Sequence, residues 1–306
     1  MCYTLLGTAI GDALGVPFET KLVNFEPLQK WDGQTFLGSE HHKLQPGQYS
    51  DDTQMSIEVA ESLIDQKGFD PDNLADRYVQ WMVSGRARGW GKTTKAAVEN
   101  LLNGKHWSES GIANSYGNGT AMRAAPFGVW FRNDLKTLVE IVKVDSAITH
   151  ASEEAEAGAI AIALAAAFAA NRDTKNLSER ICDQLPESKV KTVVHSLTSL
   201  VDAKHIAPSA ALSILGTKAD VRQTVPAALY CFMRCKTYWD GVETAIRAGG
   251  DADTTAAIVG ALFGARDGTM DMLGAWIDGV EDSQKLIKLD SQLYNRSGES
   301  FFPRQS

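Results

Sequence analysis

"LLGTAIGDALG", residues 5–15, is the stretch from which the fold class is read. Gly7, Gly11 and Gly15 recur every four residues, so on an α-helix they draw a stripe without side chains, a surface on which another helix can lie close. A second segment, "TAAIVGALFGA" (255–265), is apolar nearly all round, the pattern of a helix buried at the centre of a protein. Between them the helical period repeats. "SIEVAESLIDQ" (56–66) gathers Ile57, Ala60, Leu63 and Ile64 on one face, and "TTKAAVENLLNGK" (93–105) runs to a glycine stop at Gly104. "LKTLVEIVKV" (135–144), "VKTVVHSLTSLV" (190–201) and "TVPAALYCFMRC" (224–235) behave alike. No series of short alternating runs bounded by turns marks strands. The expectation is an all-α protein, with irregular loops near 20–49, 84–92 and 103–119. No linker, repeat or low-complexity tract breaks the chain and prolines number only 9, so residues 1–306 are expected to form one domain.

The bulk composition excludes several classes. Of 306 residues 44% are hydrophobic and 22% charged, which suits a packed core and not a disordered chain. A net charge of −8 argues against a nucleic-acid-binding or anionic-membrane surface, though not against a small anion held by backbone amides. The four cysteines, Cys2, Cys182, Cys231 and Cys235, form no C-x-x-C pair; Cys231 and Cys235 are expected to share a helix face as packed thiols. No signal-type segment opens the chain, and "AGAIAIALAAAFAA" (157–170) is too short for a membrane span. A cytoplasmic protein, monomeric by default, is the expectation.

Chemistry concentrates in two acidic clusters. "YSDDTQMS" (49–56) holds Ser50, Asp51, Asp52 and Thr53, and "RAGGDADTTAAIVG" (247–260) holds Asp251, Asp253 and Thr254; each runs into a helix. A helix start favours a nearby carboxylate by roughly 0.3–1 kcal/mol. That accounts for one capping Asp per helix, not for two Asp with hydroxyls at both. If the clusters meet, four carboxylates repel one another unless two divalent cations neutralise them. All-oxygen donors without His or Cys select Mg²⁺ or Mn²⁺ over zinc, and the hydroxyls of Ser50, Thr53 and Thr254 could complete the coordination. Rival motifs fail on inspection. The D-D-x-x-D pattern of helical prenyl-diphosphate synthases lacks its last Asp after Asp51-Asp52-Thr53-Gln54-Met55, and His–Asp phosphohydrolases need a histidine that neither cluster has. "GRARGWGKTT" (85–94) has one residue too many for a phosphate loop and no preceding strand.

"GTAIGDALGVPFE" (7–19), "SDDT" (50–53), "RGWGKTT" (88–94), "YGNGTAMRAAPFG" (116–128), "TH" (149–150) and "GGDADTTAAIVGALFGARDG" (249–268) occur in one order over most of the chain. Together they resemble the ADP-ribosylglycohydrolases related to the dinitrogenase-reductase-activating enzyme. The resemblance implies a compact orthogonal bundle of helices with two divalent cations, Mg²⁺ or Mn²⁺, and cleavage of the bond at C1″ of ADP-ribose. It implies that Ser50, Asp51 and Asp52 form the first metal-binding group and Asp251, Asp253 and Thr254 the second, with Asp52, Asp253 and Glu19 serving catalysis. Asp12 is expected to be buried and structural. Residues Ser115, Tyr116, Gly117, Asn118, Gly119 and Thr120 are expected to bind the ligand. Gly117 and Gly119 let backbone approach diphosphate oxygens ahead of a helix beginning near Thr120, and Tyr116 would stack. His150 matches a position lining the ligand groove, and the 85–92 loop with Trp90 would face the scissile end. The implied substrate is an ADP-ribosylated protein, linked through arginine first, and the product ADP-ribose. Serine linkage, O-acetyl-ADP-ribose, a modified nucleobase and a non-catalytic ADP-ribose binder are the alternatives; a helical metal phosphohydrolase would release phosphate instead.

Overall fold

The structure is a computed structural model that describes residues 2–20 and 25–296. The chain is all-α: among the described residues the only strands are β1 (Ile112–Ala113) and β2 (His150–Ala151), a parallel two-residue pair. The first half contains α1 (Thr4–Gly15), a 3₁₀ turn (Val16–Phe18), α2 (Glu26–Lys30), α3 (Asp51–Gln66), α4 (Pro71–Val83), α5 (Lys92–Leu102), α6 (Trp107–Ser110), α7 (Ala125–Trp130) and α8 (Leu135–Thr149). Then follow α9 (Glu153–Ala170), α10 (Leu177–Cys182), α11 (Lys189–Asp202), α12 (Pro208–Leu215), α13 (Val221–Arg234), α14 (Tyr238–Arg247), α15 (Ala252–Asp267), α16 (Gly274–Gly279) and α17 (Ser283–Arg296).

The glycine stripe finds its partner in α15. A Cβ on Gly7 would lie 2.2 Å from the Gly260 carbonyl oxygen, and one on Gly11 would lie 2.2 Å from that of Ala256. Contact between backbones at this distance needs glycine on the approaching face. α15 is buried from Ala252 to Ala265 and also packs on α9, α13 and α14. α9, buried from Ala157 to Ala170, supports a second layer with α7 and α8. The α1–α15 contact matters for function because α1 carries Asp12 and the first turn of α15 carries Asp253. The start of α1 is closed from outside by Asp290 of α17, which accepts from the backbone N–H groups of Leu5 (2.8 Å) and Leu6 (3.0 Å).

Three expectations are corrected. The helix placed near Thr120 starts at Ala125, and residues 119–123 are turns closed by the Met122 N–H to the Asn118 carbonyl (3.0 Å). Cys235 lies just past the end of α13, in extended backbone, so only Cys231 is on that helix. The loops near 20–49 and 103–119 contain α2 and α6, one-turn helices too short to show a period; residues 21–24 lie outside the described residues.

Candidate active site

Helix starts explain how the acids are aimed. Asp70, Asp134, Ser152, Ser188, Asp220 and Thr237 each cap their own helix, accepting from an N–H two or three residues on. At α3 the cap is Ser50, whose Oγ accepts from Asp52 N (3.4 Å) and donates to Asp52 Oδ2 (2.9 Å). Asp51 and Asp52, in the first turn, are thereby spared that task. Asp251 holds the cap position of α15 but makes no cap bond with its side chain. Asn118 donates to its Oδ2, and the backbone N–H of Asp251 is tied to the Thr217 carbonyl (2.6 Å). The two acidic clusters are therefore not ordinary caps.

They converge. Asp12, Asp52 and Asp253 bring one carboxylate oxygen each within 4.8 Å of one another, and Glu19, Asp251 and Asp253 do the same, so Asp253 joins two triads. Asp12 is occupied elsewhere. It accepts from Ser50 N (3.0 and 3.1 Å), Thr53 N (3.1 Å) and Thr53 Oγ1 (2.7 Å), which fixes the α3 start against α1. Thr53 thus supports the site through Asp12. Asp52 Oδ1 and Asp253 Oδ1, by contrast, are buried without a hydrogen-bond partner among the described residues. A buried carboxylate oxygen left unpaired is destabilising. Burial first, then the neighbouring carboxylates, push Asp51, Asp52 and Asp253 well above the ordinary carboxylate range, and burial raises Asp251 to about 6. Oxygen-only donors, converging negative charge and two orphaned oxygens fit hard divalent cations, and each cluster could hold one.

A cavity of about 300 Å³ opens over this wall. Glu19, Asp51, Asp52, Asp251, Asp253 and Thr254 line one side, and Gly117, Asn118, Gly119 and His150 line the other. Gly89, Gly91, the start of α5 (Lys92, Thr93, Thr94), Met122 and Ala219 complete it. Two of these glycines leave no easy room for a side chain: a Cβ on Gly119 would lie 2.8 Å from the His150 ring, and one on Gly89, at φ +67°, would lie 3.3 Å from Asp51 Oδ1. His150 is buried beside Thr149 Oγ1 (2.9 Å), and burial pushes its pKa down to about 3, so it faces the cavity as a neutral ring. Four expected ligand or metal residues stay off the wall. Ser50 stands behind Asp52; Ser115 donates to Thr93 Oγ1 (3.1 Å); Thr120 donates to the Ala155 carbonyl (3.0 Å). Tyr116 is 44% exposed, under the Arg222 guanidinium at 4.2 Å. Trp90 is not among the residues lining the cavity and meets Trp81 edge-on at 5.2 Å.

Two features escaped the sequence reading. His42 donates from Nε2 to Glu19 Oε2, and that contact raises the His42 pKa. Nothing in "EHHKLQPGQ" announces it. Arg123, fully buried, bonds Asp145 through Nε (3.2 Å), the Gly119 carbonyl through Nη1 (2.6 Å) and Thr149 Oγ1 through Nη2 (2.9 Å), so it anchors both the glycine turn and the His150 junction. A signal existed here: Asp145 falls in register with Leu138, Val142 and Thr149 on the buried face of α8.

The sequence profile of the ADP-ribosylglycohydrolase family matches residues 2–301. An uncharacterised protein of Archaeoglobus fulgidus is 31% identical over 299 residues, 95% of this chain and 94% of that one. ADP-ribosylarginine hydrolase Tri1 of Pseudomonas putida is 28% identical over 96% of this chain and 77% of its own length. ADP-ribosylhydrolase ARH3 of Homo sapiens is 25% identical over 96% and 93%. A solved structure described as an ADP-ribosylglycohydrolase-related protein complex superposes with a TM-score of 0.79 at 28% identity, covering 96% of each chain. No described helix is long and apolar enough to cross a membrane. A profile match over nearly the whole length, on a fold shared with that solved structure, makes this chain a member of the ADP-ribosylglycohydrolase family.

Proposed function

We propose that the chain hydrolyses the glycosidic bond between ADP-ribose and a modified protein side chain, arginine before others, releasing ADP-ribose. The observation that carries this reading is the pair of orphaned oxygens, Asp52 Oδ1 and Asp253 Oδ1, in a cavity walled by five carboxylates. Asp51, Asp52, Asp251, Asp253 and Thr254 would hold two divalent cations, Mg²⁺ or Mn²⁺. When bound, such cations supply a template for a vicinal diol and Lewis-acid polarisation.

The chain's own residues supply the rest. The acids concentrate negative potential where positive charge develops at C1″ as the glycosidic bond breaks. Glu19, at the edge of the second triad and less buried than the aspartates, holds or delivers the proton exchanged with water or the leaving group. Gly117 and Gly119 let backbone come close to the diphosphate. The neutral His150 packs beneath them, and Asn118, bonded to Asp251 and to Thr224 Oγ1 (2.9 Å), ties that turn to the acidic wall. Lys92 brings a positive charge to the rim.

Arginine linkage is favoured on two grounds. The arginine-linked guanidinium is cationic in the substrate and suits the one negative charge that five carboxylates keep over two divalent cations, whereas a serine oxygen gains nothing from it. The similarity to the two Tri1 proteins, at 28% and 25% identity, points the same way. The test is a hydrolysis panel over arginine- and serine-linked ADP-ribose and O-acetyl-ADP-ribose, with Mg²⁺ and mass detection of products. Release of free ADP-ribose from the arginine substrate, abolished by chelation, is expected. Cleavage of the serine linkage alone overturns the preference, and tight ADP-ribose binding without turnover on any member overturns the enzyme.

A further inference from the structure

Glu19 is the cavity acid whose carboxylate meets a histidine, His42. It follows the 3₁₀ turn, and its backbone is fixed from behind by the Thr20 N–H to the Gly250 carbonyl (2.6 Å), one residue before Asp251. Its carboxylate is held by His42 Nε2 alone among the described residues, and the two side chains are only 21% and 11% exposed. His42 is itself built in. Ser39 and Leu44 exchange backbone hydrogen bonds (2.9 Å each), the His42 N–H donates to Ser39 Oγ (3.3 Å), and the His41 ring meets the His42 ring edge-on at 4.6 Å. Gly89 leaves room on the other side, where a Cβ would lie 3.5 Å from His42 Nδ1.

The carboxylate has somewhere else to go. A second cavity, about 330 Å³, lies beyond the Glu19–His42 pair and is lined by both residues together with Phe18 and Leu37. Asp251 and Asp253 lie within 4.8 Å of Glu19 and repel it toward that space. A glutamate has several rotamers, and ordering it against repulsion requires a partner. We propose that His42 is a positioning residue for the reaction: its N–H keeps Glu19 turned to the acidic wall and out of the second cavity. This rests on the function proposed above, in which Glu19 handles the proton. His42 does not line the first cavity and acts through Glu19.

The experiment is steady-state kinetics of the full chain with Mg²⁺ on whichever ADP-ribosylated peptide it cleaves, together with ADP-ribose affinity by calorimetry. His42→Phe keeps a planar ring of similar bulk and removes the donor; His42→Gln restores an N–H. Phe is expected to lower kcat about 10–100-fold, as a misplaced proton-transfer group does, with KM and ADP-ribose affinity within about twofold. Gln is expected to recover most of the loss. In a Glu19→Gln background, His42→Phe should change little, because the partner it acts through is gone. An unchanged kcat in His42→Phe, a loss confined to KM, a Gln variant no better than Phe, or full additivity with Glu19→Gln overturns the proposal. A wild-type chain that cleaves no ADP-ribosyl substrate sinks the functional reading itself and this inference with it. An active chain indifferent to His42 sinks this inference alone.

Discussion

The acidic wall of the cavity and the Arg123–Asp145 pair are both out of water, and both are attached to the turn at 117–123. Asn118 reaches from that turn to Asp251, while Arg123 returns to the Gly119 carbonyl. At Arg123 the charge is answered: Nε and Nη2 meet Asp145, Nη2 meets Thr149 Oγ1, and Asp145 also accepts from Tyr78 Oη (3.0 Å). At the wall, five carboxylates face one cavity and two of their buried oxygens bond nothing among the described residues. A buried charge with its partners in place is architecture; one left without them calls for another explanation, and the proposed cations supply it.

The contrast is broken most sharply at Asp52 and Asp253. Asp52→Asn or Asp253→Asn should lower turnover by roughly 10³-fold or more, since each removes a donor from the wall proposed to hold the cations. Without divalent cation the same variants should melt no lower than wild type, because each relieves repulsion. Thermal melts with and without Mg²⁺ check both halves: wild type gains stability from Mg²⁺ and the variants gain less. A variant that melts far lower without Mg²⁺ would make these acids ordinary structural charges.

Arg123→Ala is the opposite case. It strands Asp145, buried, and should lower stability by about 3–5 kcal/mol, read by urea unfolding followed by circular dichroism. Arg123→Met with Asp145→Leu should restore much of that stability. It should not restore ADP-ribose affinity, because the grip on the Gly119 carbonyl is lost.

The same contrast explains what the sequence discloses. Periodicity reports burial on a face, so the Gly7/Gly11/Gly15 stripe and the apolar 255–265 segment were legible, and α3, α5, α8, α11 and α13 with them, while α4 and α17 went unread. Paired acids at two helix starts were legible because they exceed what capping needs. Tyr116 could not be placed from its type alone, because stacking on a ligand and stacking under Arg222 demand the same residue. The Glu19–His42 contact was hidden because it joins two irregular segments 23 residues apart, where no period operates. The one-turn helices α2 and α6 were missed for the same reason.

Asp290 sharpens the comparison from between its extremes. It is a buried carboxylate with no ion pair among the described residues, satisfied by two backbone N–H groups at the start of α1, and burial pushes its pKa up to about 7. An unfolded Asp titrates near 3.9. Between about pH 4 and 7 the native chain keeps a proton that the unfolded chain has lost, so stability falls as pH rises through this window, by about 3 kcal/mol. Below about pH 4 the contribution is complete and flat. Subtracting the stability curve of Asp290→Asn, measured in Mg²⁺, should isolate this slope. An absent slope would mean that the α1 N-terminus offsets burial completely.

The smallest effect tests where the site ends. Thr53 stands next to Asp52, and its hydroxyl would serve equally as a cation ligand or as a donor to Asp12. In the structure it donates to Asp12 Oδ2 at 2.7 Å and is fully buried. Thr53→Val keeps the shape and removes one of the bonds on a carboxylate that retains its backbone donors from Ser50 and Thr53. Stability should fall by about 1.5–3 kcal/mol, the usual range for one hydrogen bond to a charged group, while Mg²⁺ affinity by calorimetry and kcat stay within about twofold. A large loss of Mg²⁺ affinity with little change in stability would move Thr53 from the supporting side of the boundary to the binding side. Asp12 would then have to be counted with the wall it was held to brace.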